Sequence, residues 1–186
     1  MWRLGLLISL MSPPVDRARL FQSWLGEHRG IVVKVARSFA PTPADAADLE
    51  QELLLQLWLS LPAYAALAKP STWIYRVCLN TALVWRRNTA RRESRIDAGA
   101  DPARISGAAA TPADDAGDRE ILETLYAGIH ALPKTDRALV LLMLDGLSYR
   151  EMSEVTGLTE NHVGVALTRA RQRLAILLKG VTDELE

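Results

Sequence analysis

The segment LSYREMSEVTGLTENHVGVALTRARQRLAILL, residues 147–178, decides the fold of the C-terminal part of this chain. Ser148 and Glu151 form an S-x-x-E capping box for a short helix, and Gly157 supplies the permissive turn that follows it. Thr159 caps a second, longer helix. Apolar residues at helical spacing form the buried seam of that helix: Val163, Ala166, Leu167, Ala170, Leu174 and Leu177. A short helix, a glycine turn and a longer helix are typical of a helix-turn-helix.

The opposite face of the longer helix is polar and basic. It carries His162, Val165, Arg169, Gln172 and Arg173. In a helix-turn-helix, the N-terminal part of this face enters the major groove of DNA. The simpler alternative is a helical cap with a solvated basic face, but the turn, the capping box and the basic face together favour DNA recognition. His162 has no second ligand at i+4 or nearby, so no metal site is predicted there.

Upstream, the composition divides the chain. Residues 94–118 are rich in Ala, Gly, Asp and Pro and predict a flexible linker, which could span up to ~80 Å at ~3.3 Å per residue. In residues 16–93 and 119–186 the apolar residues recur at helical spacing, and the alternation of apolar and polar residues that is typical of strands is absent. The sequence therefore predicts an all-α fold of two small helical domains. Residues 1–15 are expected to be a disordered or misassigned N-terminal extension, with Met11 as the alternative start of translation.

One helix of the N-terminal domain is predicted over residues 48–61, DLEQELLLQLWLSL, with Asp45 or Asp48 as its cap. Its apolar row is Leu49, Leu53, Leu57 and Leu61. The other side is polar, with Asp48, Gln51 and Glu52, but Leu55 and Leu59 interrupt it. Periodicity alone favours a core helix with a solvated acidic face. The sharper alternative is a helix that packs on one side and binds a partner with the other.

A second long helix is predicted over residues 71–92, with Ser71 as its cap. Its inward arc is Trp73, Ile74, Val77, Cys78, Thr81, Val84 and Trp85. Its outer stripe is Arg76, Asn80, Leu83 and Arg87, and beside it lie Tyr75, Leu79, Ala82 and Arg86. This helix and Tyr64 in the preceding loop place basic groups among aromatic rings. Such groups bind single-stranded DNA by neutralising phosphates and stacking on bases, and an Asn amide can hydrogen-bond a base edge. For Trp73 and Trp85, core packing is the stronger interpretation.

Charge and composition limit the functions open to this chain. Its 22 basic and 22 acidic residues give zero net charge, but residues 1–93, 94–118 and 119–186 carry +5, −3 and −2. A uniformly basic DNA-coating protein is thereby excluded. A single Cys excludes an internal disulfide and Cys-based zinc sites, and no apolar run is long enough for a membrane span. No nucleophile–base pair, metal cluster or phosphate loop is visible, so neither an enzyme nor a cofactor is predicted, and the expected location is cytoplasmic.

Together these segments resemble a bacterial RNA polymerase sigma factor of the sigma-70 family, in its extracytoplasmic-function (ECF) group. DLEQELLLQLW resembles the helix of sigma domain 2 that binds core RNA polymerase, and KPSTWIYRVCLNTALVWRRNTARR resembles the segment that opens and recognises the −10 element. The stretch from ALPKTDRALVLLML through the helix-turn-helix resembles sigma domain 4, whose last helix recognises the −35 element. The resemblance covers about residues 16–93 and 119–178.

The resemblance implies a non-enzymatic transcription initiation factor that directs core polymerase to specific promoters. The implied contacts are Asp48, Gln51 and Glu52 for the β′ clamp helices; Tyr64, Arg76, Asn80, Arg86 and Arg87 for the melted −10 strand; and His162, Val165, Arg169 and Arg173 for the −35 duplex. It also implies a contact of the C-terminal domain with the β flap, and an anti-sigma factor as a candidate partner. No membrane insertion is implied.

The start of the recognition helix departs from the family pattern. Family members commonly show a T-V-K-S-R-like run where this chain has His162 to Ala166, so two basic side chains are absent. Losing two phosphate contacts lowers the salt slope of DNA binding by about 2. Two other functions stay open. One is a stand-alone helix-turn-helix regulator whose N-terminal helices only dimerise or bind a partner, and the other, which the weakened recognition helix motivates, is a sigma-like adaptor with weakened DNA recognition.

Overall fold

A computed structural model of the protein describes residues 14–96 and 116–183. This part of the chain contains no strand, which confirms the all-α prediction. Its elements are α1 (Pro14–Phe39), α2 (Pro43–Ser60), a 3₁₀ turn (Leu61–Ala63), α3 (Pro70–Ile96), α4 (Ala116–Ala131), α5 (Lys134–Leu144), α6 (Tyr149–Thr156) and α7 (Glu160–Asp183). None of these helices is long and apolar enough to cross a bilayer.

Two predicted helix starts are wrong, both because a proline begins the helix. Thr42, with extended backbone, is the cap of α2, and its hydroxyl accepts a hydrogen bond from the Asp45 amide at 3.1 Å. Neither Asp45 nor Asp48 is that cap. α3 begins at Pro70, so Ser71 lies inside the first turn. Proline is suited to the first helical position because its φ is already helical and its missing N–H has no intrahelical partner there.

The predicted linker is shorter than 94–118 at both ends. α3 continues to Ile96, and α4 begins at Ala116. The remaining linker residues, 97–115, lie outside the described residues. So does most of the predicted N-terminal extension, including Met11.

Each half of the described chain packs around the buried residues of one helix. In the N-terminal half, α1, α2 and α3 pack on one another, and Leu49, Leu53 and Leu57 of α2 are fully buried, as predicted. In the C-terminal half, α5 is the central helix and is buried from Asp136 to Leu142, with α7 packed along it. The buried residues of α5 include the apolar run at residues 138–142, whereas Leu144 at its end is half exposed.

The two halves also pack directly against each other, which the sequence did not predict. α3 contacts α6, and α1 contacts α4 and α5. At the centre of this contact is Arg137, a buried side chain of α5. Its guanidinium donates to the carbonyls of Ser38 (2.9 Å) and Leu132 (3.2 Å), and to that of His130. These carbonyls lie at the C-terminal ends of α1 and α4, where the partial negative charge of each helix favours a cation.

A histidine joins the same contact. The His130 Nε2 atom lies 2.8 Å from the Arg37 carbonyl oxygen of α1. Burial lowers the pKa of His130, and the nearby Arg137 and Arg86 guanidinium groups act in the same direction. The imidazole is therefore neutral near pH 7.

Candidate nucleic-acid and polymerase-binding surfaces

The helix-turn-helix forms as the sequence predicts. The Ser148 amide donates to the Glu151 carboxylate at 2.9 Å, and the Glu151 amide donates to the Ser148 hydroxyl at 3.3 Å. Gly157 ends α6 in the left-handed conformation with φ of 74°, which a side chain would disfavour. The Thr159 hydroxyl then accepts from the His162 amide at 3.3 Å, which confirms Thr159 as a cap of α7.

The recognition helix α7 presents its predicted outer face to solvent. His162, Val165 and Arg169 are all exposed. Arg173 is different, because its guanidinium pairs with the Asp136 carboxylate of α5. Half of the Arg173 side chain is exposed, so it keeps a solvent-facing edge, but its position is fixed by an ion pair within the protein. Of the two predicted basic contacts on this face, Arg173 is held by this ion pair, whereas Arg169 is exposed.

Gly164, one of the departures in the recognition helix, lies beside an aromatic ring. A Cβ built on Gly164 would lie 3.4 Å from the Tyr149 ring of α6. This is an ordinary contact distance, so the packing of α6 on α7 does not require glycine at this position. The absent side chain removes a potential phosphate contact.

The predicted outer stripe of α3 is exposed at Arg76, Asn80 and Arg87. The adjoining set is different: Tyr75, Leu79 and Ala82 are buried, and the Tyr75 hydroxyl donates to the Asp145 carboxylate of the C-terminal half. These residues lie beside the outer stripe, as their spacing predicts, but on a buried side of α3. Val84, predicted to face inward, is exposed.

Arg86 belongs to the covered side of α3. It is half-buried, and its charge lowers the pKa values of both His130 and Arg137. Arg86 thus faces the contact between the two halves, and the structure does not bring it together with Arg76 and Asn80. Its assignment to the melted −10 strand remains a prediction that would require the halves to separate.

Tyr64 is anchored beneath the loop that joins α2 to α3. Its ring centroid lies 4.8 Å from that of Trp24 and 5.5 Å from that of Trp73, and both ring pairs pack edge-to-face. Its hydroxyl donates to the Ala68 carbonyl at 2.9 Å. Tyr64 therefore fixes the loop, and only part of its ring is available to a base.

A groove of about 580 Å³ runs between α2 and α3. The α2 side contributes Glu52 and Gln56, and the α3 side contributes Asn80, Trp85 and Asn88 among others. The Gln56 amide donates to Glu52 at 3.0 Å, which fixes one wall. Three amides beside an indole provide hydrogen-bonding groups for base edges and a stacking surface. Glu52 and Asn80, assigned from the sequence to different partners, thus line one groove.

The sequence did not single out Gln56, Trp85 or Asn88 as site residues. The i, i+4, i+8 spacing of Asn80, Val84 and Asn88 places them on one stripe, which is a signal in the sequence. The pairing of that stripe with Gln56 depends on how α2 packs against α3, and helical periodicity contains no such information.

The outer face of α2 carries Asp48 and Gln51, both exposed, with Glu52 half-buried at the groove. On the same outer side, Leu55 and Leu59 are 49% and 56% exposed. These two exposed leucines interrupt the polar outer face of α2, as the sequence predicts. Within residues 14–96 and 116–183, no cluster of His, Cys, Asp or Glu is placed to hold a metal ion.

The sequence matches two family models and is similar to several known proteins. The profile of Sigma-70 region 2 matches residues 24–92, and that of Sigma-70 region 4 matches residues 122–174. The ECF RNA polymerase sigma factor SigM of Bacillus subtilis is 31% identical over 141 residues, covering 75% of this chain and 83% of SigM. The ECF RNA polymerase sigma-E factor of Escherichia coli K12 is 27% identical over 150 residues, which cover 77% of this chain and 78% of the E. coli protein.

Two solved structures have a similar fold. The sigma factor RpoE of Bartonella quintana, in complex with the anti-sigma factor NepR, has a TM-score of 0.71 at 22% identity, covering 86% of this chain and 96% of RpoE. CnrH, in complex with the cytosolic domain of CnrY, has a TM-score of 0.63 at 21% identity, covering 95% of this chain and 96% of CnrH.

Proposed function

Because this chain belongs to the sigma-70 family of RNA polymerase sigma factors, in its ECF group, we propose a division of labour among its three exposed surfaces. The chain is a transcription initiation factor that directs RNA polymerase to promoters. Its role is to bind and position other macromolecules, and the proposal assigns it no catalytic step. This role places it with the polymerase and the chromosome in the cytoplasm.

The groove between α2 and α3 carries the proposal. Because Glu52 and Asn80 line the same groove, the polymerase-binding helix and the strand-binding helix meet at one place. A DNA strand bound along Arg76 and Asn80 lies beside the polymerase bound to α2. Arg76 and Arg87 neutralise phosphates, Asn80 and Asn88 bind base edges, and Trp85 offers a stacking surface.

The recognition helix supplies the second DNA contact. His162, Val165 and Arg169 form an exposed face at the N-terminal part of α7, the part that enters the major groove in helix-turn-helix proteins. Arg169 provides the main phosphate or base contact, and Arg173 supports it through its exposed edge. Because α7 has few basic groups, it binds duplex DNA weakly by itself, and contacts made by the polymerase supply the remaining affinity. The two DNA-binding sites are linked in one chain, so binding at one raises the effective concentration of the other.

The outer face of α2 binds core polymerase in this proposal, with Asp48, Gln51 and Glu52 around exposed Leu55 and Leu59. Replacing Asp48 with lysine is expected to weaken binding to purified core polymerase about tenfold or more, because a reversed charge faces a complementary surface. Fluorescence anisotropy of the labelled chain, titrated with core polymerase, measures this loss.

The matched control is Glu27→Lys, an equal charge reversal at an exposed site of α1. It is expected to bind core polymerase as the wild type does. Equal weakening by both variants would show a general charge effect and contradict the assignment of α2.

An anti-sigma factor is a candidate partner, supported by the two similar structures, in which RpoE is bound to NepR and CnrH to the cytosolic domain of CnrY. The β flap contact of the C-terminal half remains a prediction from family membership.

The two other functions differ in what they require of polymerase. A stand-alone regulator binds its promoter specifically without core polymerase, whereas an adaptor binds core polymerase and adds no promoter specificity. Gel-shift assays on a promoter library, with and without core polymerase, separate them. We expect specific shifts only when core polymerase is present.

A further inference from the structure

Arg17 of α1 holds the C-terminal end of α2. Its guanidinium lies over the indole of Trp58, 4.1 Å from the ring centroid, and donates a hydrogen bond to the Trp58 carbonyl. This carbonyl belongs to the last turn of α2, where carbonyl groups lack an intrahelical partner and the helix dipole favours a cation. One side chain of α1 thus binds both the backbone and the ring of Trp58.

An aromatic ring of α1 adds a second contact to the same indole. The Phe21 ring packs edge-on against Trp58, with the ring centroids 5.3 Å apart. Arg17 and Phe21 are separated by four residues, so they are neighbours on one face of α1. The Trp58 side chain is therefore held in one orientation by two residues of the adjoining helix.

Trp58 borders the outer face of α2, to which polymerase binding is assigned above. Leu55 lies three residues before Trp58 and Leu59 directly after it, and both are exposed. Residues three apart on a helix are surface neighbours, and Trp58 itself is partly exposed, so its indole adjoins Leu55 at this end of the face. The orientation of the Trp58 ring therefore affects the shape of the surface that α2 presents.

The guanidinium of Arg17 is not explained by packing alone. Its Nε atom is buried and has no hydrogen-bond partner within residues 14–96 and 116–183. A buried donor without a partner lowers stability, whereas an unbranched apolar side chain such as methionine packs on an indole without that cost. Folding of α1 onto α2 therefore does not require an arginine at this position.

We propose that Arg17 is a positioning residue for polymerase binding, which fixes Trp58 and the last turn of α2 in the arrangement that the polymerase contacts. The inference rests on the proposed function of the outer face of α2. A side chain that is ordered before binding loses less conformational freedom when the complex forms, and this preorganisation raises the affinity. Arg17 acts through Trp58, without contacting the polymerase itself.

The test measures the affinity of variants of the full chain for purified core polymerase by fluorescence anisotropy. Arg17→Met keeps an unbranched stem on the indole and removes the guanidinium, and it is expected to weaken binding about threefold to tenfold. Arg17→Lys is expected to recover only part of this loss, because an ammonium lacks the planar group that stacks on the ring while it donates to the carbonyl. Arg19→Met, which removes an exposed arginine of the same helix, is the matched control and is expected to bind as the wild type does.

A double-mutant cycle separates positioning through Trp58 from a direct contact of Arg17 with the polymerase. In a Trp58→Leu background, Arg17→Met is expected to have no further effect on affinity, because the group through which Arg17 acts is absent. The urea midpoint of the Arg17→Met variant, followed by tryptophan fluorescence, is expected to match that of the wild type, because the substitution also removes the unpaired buried donor.

Three results would overturn the proposal: wild-type affinity in Arg17→Met, the same loss of affinity with and without the Trp58 indole, or a loss of helix content in Arg17→Met that places the effect in folding. Asp48→Lys distinguishes these results from failure of the proposed function. If Asp48→Lys weakens binding and Arg17→Met does not, only the positioning role is contradicted. If neither variant weakens binding, the assignment of α2 to the polymerase is contradicted as well.

Discussion

Replacing Asn80 with alanine is expected to slow promoter opening by between about 5-fold and 150-fold. Asn80 is exposed in the groove between α2 and α3, where its amide can both donate to and accept from a base edge. A base-edge contact of this kind contributes ~1–3 kcal/mol, which converts to that range of rates. Opening is followed by the fluorescence of 2-aminopurine placed in the −10 element, after mixing holoenzyme with promoter.

Polymerase binding by the Asn80→Ala variant is expected to stay within about twofold of the wild type, since the side chain lies on the α3 wall of the groove. Gln22→Ala, which removes an exposed amide from α1, is the matched control and is expected to leave opening unchanged. Equal losses in polymerase binding and in opening would instead mean that Asn80 acts structurally.

Replacing Arg137 with methionine is expected to lower the free energy of unfolding of the C-terminal half by ~3 kcal/mol. The substitution keeps an unbranched apolar stem but leaves the carbonyls of Ser38, His130 and Leu132 without their donor. Arg137→Lys is expected to recover only part of the loss, because an ammonium cannot match the planar fork that reaches all three.

The distribution of tryptophan makes this measurement specific. All five Trp residues lie in the first 85 residues, so tryptophan fluorescence in urea reports only the N-terminal half, whereas far-ultraviolet circular dichroism reports both. For Arg137→Met, part of the circular dichroism transition is expected at lower urea than the fluorescence transition. The control Arg150→Met removes an exposed i, i+4 ion pair with Glu154 and is expected to cost less than ~0.5 kcal/mol. Coincident, unshifted transitions in Arg137→Met would contradict the role of this side chain.

The helices themselves were predictable because their signals are local. The Ser148–Glu151 box, the Gly157 turn and the leucine row of α2 depend on residues within a few positions of one another, and all are confirmed. The helix starts at Pro43 and Pro70 differ from the predicted caps because Asp and Ser are good caps in general, whereas here a preceding proline occupies the first helical position.

The contact between the halves was not predictable in the same way. Tyr75, Leu79 and Ala82 are spaced as a second apolar arc of α3, but periodicity shows only that an arc is apolar, and not which element covers it. Arg86 was assigned to DNA because it is basic and near the outer stripe. Its position beside His130 and Arg137 depends on packing across more than 40 residues of sequence.

Run-off transcription with purified core polymerase on a promoter library tests the central claim most directly. The account predicts promoter-specific transcripts that require this chain, are lost with Asp48→Lys, and are reduced on duplex templates with Asn80→Ala. A folded protein that binds core polymerase and yields no promoter-specific transcript from any template in the library would contradict it.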